Sequence, residues 1–128
     1  IDEGNFIEGF YDLALRYVPL GHQFDTTLLA RGFNRKKFNE APDLMCLADD
    51  IEMRFATCEV DGHPAAESQR KIRLPNGEIR DARYDDPLEA PGGNDTGAPG
   101  EFYQARCLKD WKLEGEPENR FRLERYSP

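Results

Sequence analysis

The sequence predicts an α+β domain, two N-terminal helices packed on a four- to five-stranded antiparallel meander. Apolar residues recur at helical spacing only in the first forty positions. From residue 51 onward the pattern alternates. A turn-rich stretch, Leu74-Pro75-Asn76-Gly77, divides two alternating segments.

Residues 5–18 form the first predicted helix. Phe6, Phe10, Leu13, Ala14, Tyr17 and Val18 share one face, Asn5 and Glu8 have capping-box spacing, and Pro19 and Gly21 end it. Residues 26–39 form the second, capped by Asp25 or Thr26 and anchored by Leu28, Leu29, Phe33 and Phe38, although Gly32 weakens it. A short helical turn over 43–49 follows Pro42. Residues 51–60 then read as a strand, with Ile51, Met53, Phe55 and Thr57 on one face, and Asp61-Gly62 as a turn.

Residues 71–84 read as a β-hairpin. Pro75 lacks the N–H that a two-residue Asn76-Gly77 turn requires, so the better reading is a type I turn followed by a Gly77 bulge. That register sets Lys71 against Asp81 and Arg73 against Ile79. The alternative sets Arg73 against Arg80, two like charges. Residues 87–100 are a Pro/Gly/Asn/Asp loop, expected to be flexible and exposed. Further strands are expected over 102–113 and 119–126. With 128 residues, all of this fits one domain, 1–128.

Charge and composition narrow the function classes. The net charge is −8, which disfavours non-specific nucleic-acid binding. Residues 85–101 hold five acids and no base. No apolar run approaches a membrane span, so a soluble chain is expected, either cytosolic or a secreted mature form. The three cysteines, Cys46, Cys58 and Cys107, show no C-x-x-C spacing and favour a reduced state. The acidic clusters Asp49-Asp50, Asp85-Asp86 and Glu114/Glu116/Glu118 lack a calcium-loop pattern, so neither a metal nor a cofactor is expected.

No catalytic residue declares itself. There is no G-x-S-x-G and no G-x-x-x-x-G-K. His22 and His63 sit in turn-like runs, and an alternative pocket would join His22 with Asp25 or Asp49 for acid–base chemistry. Arg31, Arg35, Lys36 and Lys37 cluster around Phe33 and Phe38. A winged-helix nucleic-acid binder would use residues 33–40 as reading helix and the 70–84 hairpin as wing, against the overall charge.

Leu44-Met-Cys-Leu-Ala-Asp-Asp-Ile-Glu-Met-Arg-Phe55, with the Phe10-Tyr11 pair, resembles the helix-to-strand passage of nuclear-transport-factor-2-like (SnoaL-like) cone folds. That resemblance implies a pocket enzyme, such as a dehydratase or isomerase, or a small-molecule binder. The chain departs from the family where Ser68–Leu74 runs straight into the hairpin instead of into a helix.

The leading expectation is a non-enzymatic, acidic protein-interaction module, an inhibitor or effector-like binder of a basic partner surface. Its interaction candidates are Arg73, Arg80, Arg83, Tyr84, Tyr103, Trp111 and Tyr126, with Asp85 and Asp86, because Trp, Tyr and Arg dominate binding hot spots. The expected partner is another protein, and self-association stays open.

Overall fold

The computed structural model describes residues 1–88 and 92–117. They are α+β, and the chain divides into two compact units, Ile1–Phe55 and Ala56–Pro128. No helix among the described residues is long and apolar enough to cross a membrane.

The first unit holds α1 (Phe10–Tyr17) and α2 (Ala41–Leu47), with 3-10 turns at Gly4–Phe6 and Val18–Leu20. α1 is shorter than expected. Gly9, at φ 78°, stands at its N-terminus, and Asn5 is buried rather than capping. Pro19 and Gly21 stop the helix as expected, with Gly21 at φ 89°. Phe10, Ala14, Phe33, Phe38, Ala41 and Leu44 are buried, and the rings of Phe6 and Phe38 meet edge to face at 5.0 Å.

The helix expected over 26–39 does not form. The backbone of this stretch bonds instead to residues 1–5: Thr27 N–H donates to Ile1 O at 3.0 Å, Gly4 N–H donates to Thr27 O at 2.8 Å, and Leu29 N–H donates to Asn5 Oδ1 at 3.1 Å. Residues 31–37 then turn back on themselves through an antiparallel Arg31–Lys37 bridge. Arg35 and Asn39 take left-handed conformations, at φ 60° and 49°, which no helix interior accepts. The winged-helix picture loses its reading helix. The α-helical segment falls at 41–47, near the short turn expected at 43–49, with Pro42 in its first turn.

The second unit holds two small sheets rather than one meander. β1 (Ala56–Thr57) pairs antiparallel with β2 (Pro64–Ala65). The other sheet has the order β4-β3-β6-β5, where β3 is Glu67–Arg73, β4 Ile79–Asp81, β5 Gly92–Gly93 and β6 Gly100–Arg106. Its β3, β4 and β6 are antiparallel neighbours, and β5 adds two residues in parallel. The strand expected over 51–60 shrinks to Ala56–Thr57. Ile51, Met53 and Phe55 are exposed, so alternation there marks no buried face. The last expected strand, 119–126, lies outside the described residues.

The hairpin follows its turn chemistry. Lys71 faces Asp81 and Arg73 faces Ile79. Gly77 N–H donates to Leu74 O at 2.9 Å, Leu74 N–H donates to Glu78 O at 2.8 Å, and Gly77 takes φ 88°. At the far side of β3, Gln69 clasps residue 112 in both directions: its Nε2 donates to Lys112 O at 2.9 Å, and its Oε1 accepts from Lys112 N–H at 2.8 Å.

Candidate functional sites: an acidic corner and a thiol–carboxylate cluster

In the first unit, Asp2, Glu3 and Gly4 make a tight acidic corner against Thr26 and Thr27. Glu3 N–H donates to Asp2 Oδ1 at 3.0 Å and to Thr27 Oγ1 at 3.1 Å. The Thr27 hydroxyl donates to Asp2 Oδ1. Gly4 makes the approach possible, because a Cβ there would lie 2.9 Å from Phe10 Cε1 and run into Thr26 Oγ1. Glu3 itself is left-handed, with φ 50° and ψ 48°. For a residue with a Cβ this costs about 1–2 kcal/mol, and such strain concentrates at functional positions. The result is an exposed Glu3 whose backbone is held by Asp2 and Thr27, with Asp2 exposed beside it.

In the second unit, two turns of the form Cys-x-x-Asp face each other. The first joins β1 to β2. Gly62 N–H donates to Cys58 O at 2.9 Å, Cys58 N–H donates to His63 O at 2.8 Å, and Gly62 supplies φ 77°. The second follows β6, where the N–H groups of Asp110 and Trp111 both donate to Cys107 O, at 3.1 and 3.0 Å. Cys58, Asp61, Cys107 and Asp110 thereby bring four ligand atoms within 4.8 Å of one another. Cys58 is buried, and Cys107 is partly so.

Within this cluster Asp61 and Cys107 are pushed in opposite directions. The backbone N–H of His63 is the main cause holding the Asp61 carboxyl well below the usual range, and S–H groups of Cys58 and Cys107 add to it. Burial pushes the Cys107 thiol up, and its carboxylate neighbours push it further.

Three of the six edges between these donor atoms match those of a four-coordinate cation. Zinc bonds to sulfur and oxygen at a tetrahedral angle imply an S···O edge of about 3.5 Å. The observed edges are 3.3 Å for Cys107 Sγ to Asp110 Oδ2, 3.5 Å for Cys107 Sγ to Asp61 Oδ2 and 3.7 Å for Cys58 Sγ to Asp110 Oδ2. Four protein donors close such a site, so a bound ion would tie the two turns together and leave no position for substrate. Reading the sequence for C-x-x-C alone passes over this cluster. The signal that finds it is the repeated Cys-x-x-Asp, at 58–61 and 107–110.

The residues singled out by sequence are placed as follows. His22 meets the Tyr17 ring edge-on at 5.4 Å, and the Asp25 carboxylate accepts from Gln23 Nε2 at 3.2 Å; Asp49 is exposed. Arg73 pairs with Asp95 at 2.8 Å and lies 5.8 Å over the Phe102 ring. Arg80 pairs with Asp86 at 3.3 Å, whose Oδ2 also accepts the Arg83 N–H at 2.8 Å, and Arg83 Nε lies 3.9 Å from Asp85. Tyr84 N–H donates to Glu114 O at 2.8 Å. Tyr103 stands opposite Arg70 in the ladder. Trp111 belongs to the second Cys-x-x-Asp turn, and Tyr126 lies outside the described residues. Asp85, Asp86 and Asp95 thus all lie against hairpin arginines.

Residues 1–111 match the thymidine kinase family. The chain belongs to the thymidine kinase family. It is 38% identical over 84 residues to the thymidine kinase of Coprothermobacter proteolyticus, covering 66% of this chain and 37% of that one. It is 31% identical over 108 residues to the thymidine kinase of Halobacterium salinarum, covering 84% of this chain and 50% of that one. The chain therefore spans half or less of the length of these curated relatives. Membership in a kinase family overturns the expectation of a non-enzymatic acidic protein-binding module, with its inhibitor variant. It overturns the cone-fold and winged-helix alternatives in the same way. Net charge and interface-type aromatics describe a surface and do not report phosphoryl-transfer chemistry.

Proposed function

We propose that this chain is part of a kinase that transfers a phosphoryl group from a nucleoside triphosphate to a hydroxyl of thymidine. The observation that carries the reading is the family match across residues 1–111. The relatives at 31–38% identity, each named thymidine kinase, support the substrate.

Phosphoryl transfer asks little covalent chemistry of the protein beyond positioning and charge. One recurring requirement is a carboxylate that orients the acceptor hydroxyl and takes its proton. Glu3 fills that role in this proposal. Its side chain is exposed, its backbone is held left-handed, and Asp2 and Thr27 fix the corner from behind. The hydroxyl oxygen forms the new bond to the terminal phosphorus, the bond from that phosphorus to the leaving diphosphate breaks, and the hydroxyl proton passes to the Glu3 carboxylate. Asp2 positions Glu3 rather than touching the acceptor. In this proposal the Cys58/Asp61/Cys107/Asp110 cluster takes no part in the transfer, and a cation bound there would tie its two turns together.

The test is incubation of the protein carrying this chain with labelled thymidine and a magnesium nucleoside triphosphate. Formation of labelled thymidine monophosphate is the expected outcome. Absence of product under conditions where thymidine binds would contradict the reading.

A further inference from the structure

We propose that His63 and Lys109 are positioning residues that hold Asp61 as a direct ligand of the cation in the Cys58/Asp61/Cys107/Asp110 cluster. The proposal rests on the metal-binding reading of that cluster and is independent of the kinase reading.

Asp61 differs from Asp110 in what surrounds it. Both of its oxygens are engaged from outside the ligand set. Oδ1 accepts the His63 N–H at 3.1 Å. Oδ2 lies 3.0 Å from His63 Nδ1 and 3.7 Å from Lys109 Nζ, on the same oxygen that faces Cys107 Sγ at 3.5 Å. A carboxylate oxygen has two lone pairs, so one can face the cation while the other accepts from His63. For Asp110 the corresponding contacts are to the two thiols, Cys58 at 3.7 Å and Cys107 at 3.3 Å.

The path of Lys109 is informative. It belongs to the turn that carries Cys107 and Asp110, yet its ammonium reaches across to the carboxylate of the other turn. His63 comes from the first turn, brought beside Asp61 by the left-handed Gly62. Asp61 is thus approached from both turns at once.

Charge gives the arrangement a purpose. Two thiolates and two carboxylates around a divalent cation leave a net charge of −2, and a nearby ammonium lowers the energy of that dianion. A ligand fixed by outer hydrogen bonds also loses less freedom when the ion arrives, and removing such outer partners typically lowers metal affinity about 10- to 100-fold. Both side chains are largely exposed, 70% for His63 and 78% for Lys109, so replacing them is expected to cost little stability.

The experiment measures zinc affinity of the full chain by competition with a chromophoric chelator at fixed pH. It compares the parent with Lys109→Met, Lys109→Arg, His63→Ala and the Lys109→Met/His63→Ala double variant. Each single loss is expected to weaken zinc about tenfold, the double variant about 100-fold, and Lys109→Arg to restore most of the loss. Cobalt(II) substituted into the same proteins reads the ligand set directly. Its visible absorption should change in the double variant and match the parent in Lys109→Arg. Parent-like zinc affinity in the double variant overturns the role of the two residues. Failure of the parent itself to bind zinc or cobalt overturns the proposal at its base. Neither result bears on thymidine phosphorylation.

Discussion

Lys71 and Asp81 face each other across the β3–β4 ladder, with the ammonium 2.6 Å from the carboxylate. The pair exists only because Gly77 adds its residue to the turn and shifts the register by one. A Cβ on Gly77 would meet nothing within 4 Å, so its φ of 88° is the whole constraint. Gly77→Ala is expected to lower stability by about 1 kcal/mol without changing the dependence on denaturant, as read in urea unfolding.

The acidic corner separates stability from activity. Gly4→Ala should destabilise by about 1–3 kcal/mol, because its Cβ would press on Phe10 and Thr26. Glu3→Gly should do the opposite, relieving about 1 kcal/mol of left-handed strain while removing the carboxylate. Thermal unfolding of the two variants, run beside a kinase assay, checks both signs.

The loop beyond β5 responds to acid through Asp95. Its carboxylate is held below the usual range, first by the Gly97 N–H and then by Arg73. A depressed folded value contributes stability above the ordinary aspartate range of about 4, lost as pH falls through the folded value. The Gly97 amide resonance should therefore titrate with a midpoint below about 4, and Asp95→Asn should abolish that titration. A midpoint at the ordinary aspartate value would remove the claim.

The paired Cys-x-x-Asp turns predict one zinc per chain by elemental analysis. Chelation should lower the unfolding temperature, since binding energy at such a site is folding energy. Cys58→Ser should lose the metal. Cys46→Ser should keep it, because Cys46 is exposed on α2 and outside the cluster.

What was legible in the sequence was local. Pro75, Asn76 and Gly77 determine their turn by backbone chemistry alone, and the register of Lys71 and Asp81 follows. Pro19 and Gly21 stop α1 for the same kind of reason. What failed depended on distant partners. The 26–39 stretch has helix-like apolar spacing, but Thr27 and Leu29 give their hydrogen bonds to residues 1–5, and that pairing has no local signal. The Asp2-Glu3 corner has no signal in the sequence because it depends on the left-handed φ of Glu3 and on the distant Thr27. The metal-type cluster joins residues nearly fifty positions apart, and its carboxylates look like ordinary surface acids until the two turns meet. Nothing in composition separates a member of this family from an acidic binding module.

The most direct measurement is the steady-state rate of thymidine phosphorylation by the protein carrying this chain, compared with its Glu3→Gln variant. The expected result is product formation by the parent and a kcat lowered about 10²- to 10⁴-fold in the variant, with thymidine KM and unfolding temperature little changed. A parent that binds thymidine yet transfers no phosphoryl group, or a Glu3→Gln variant that turns over at the parental rate, would contradict it.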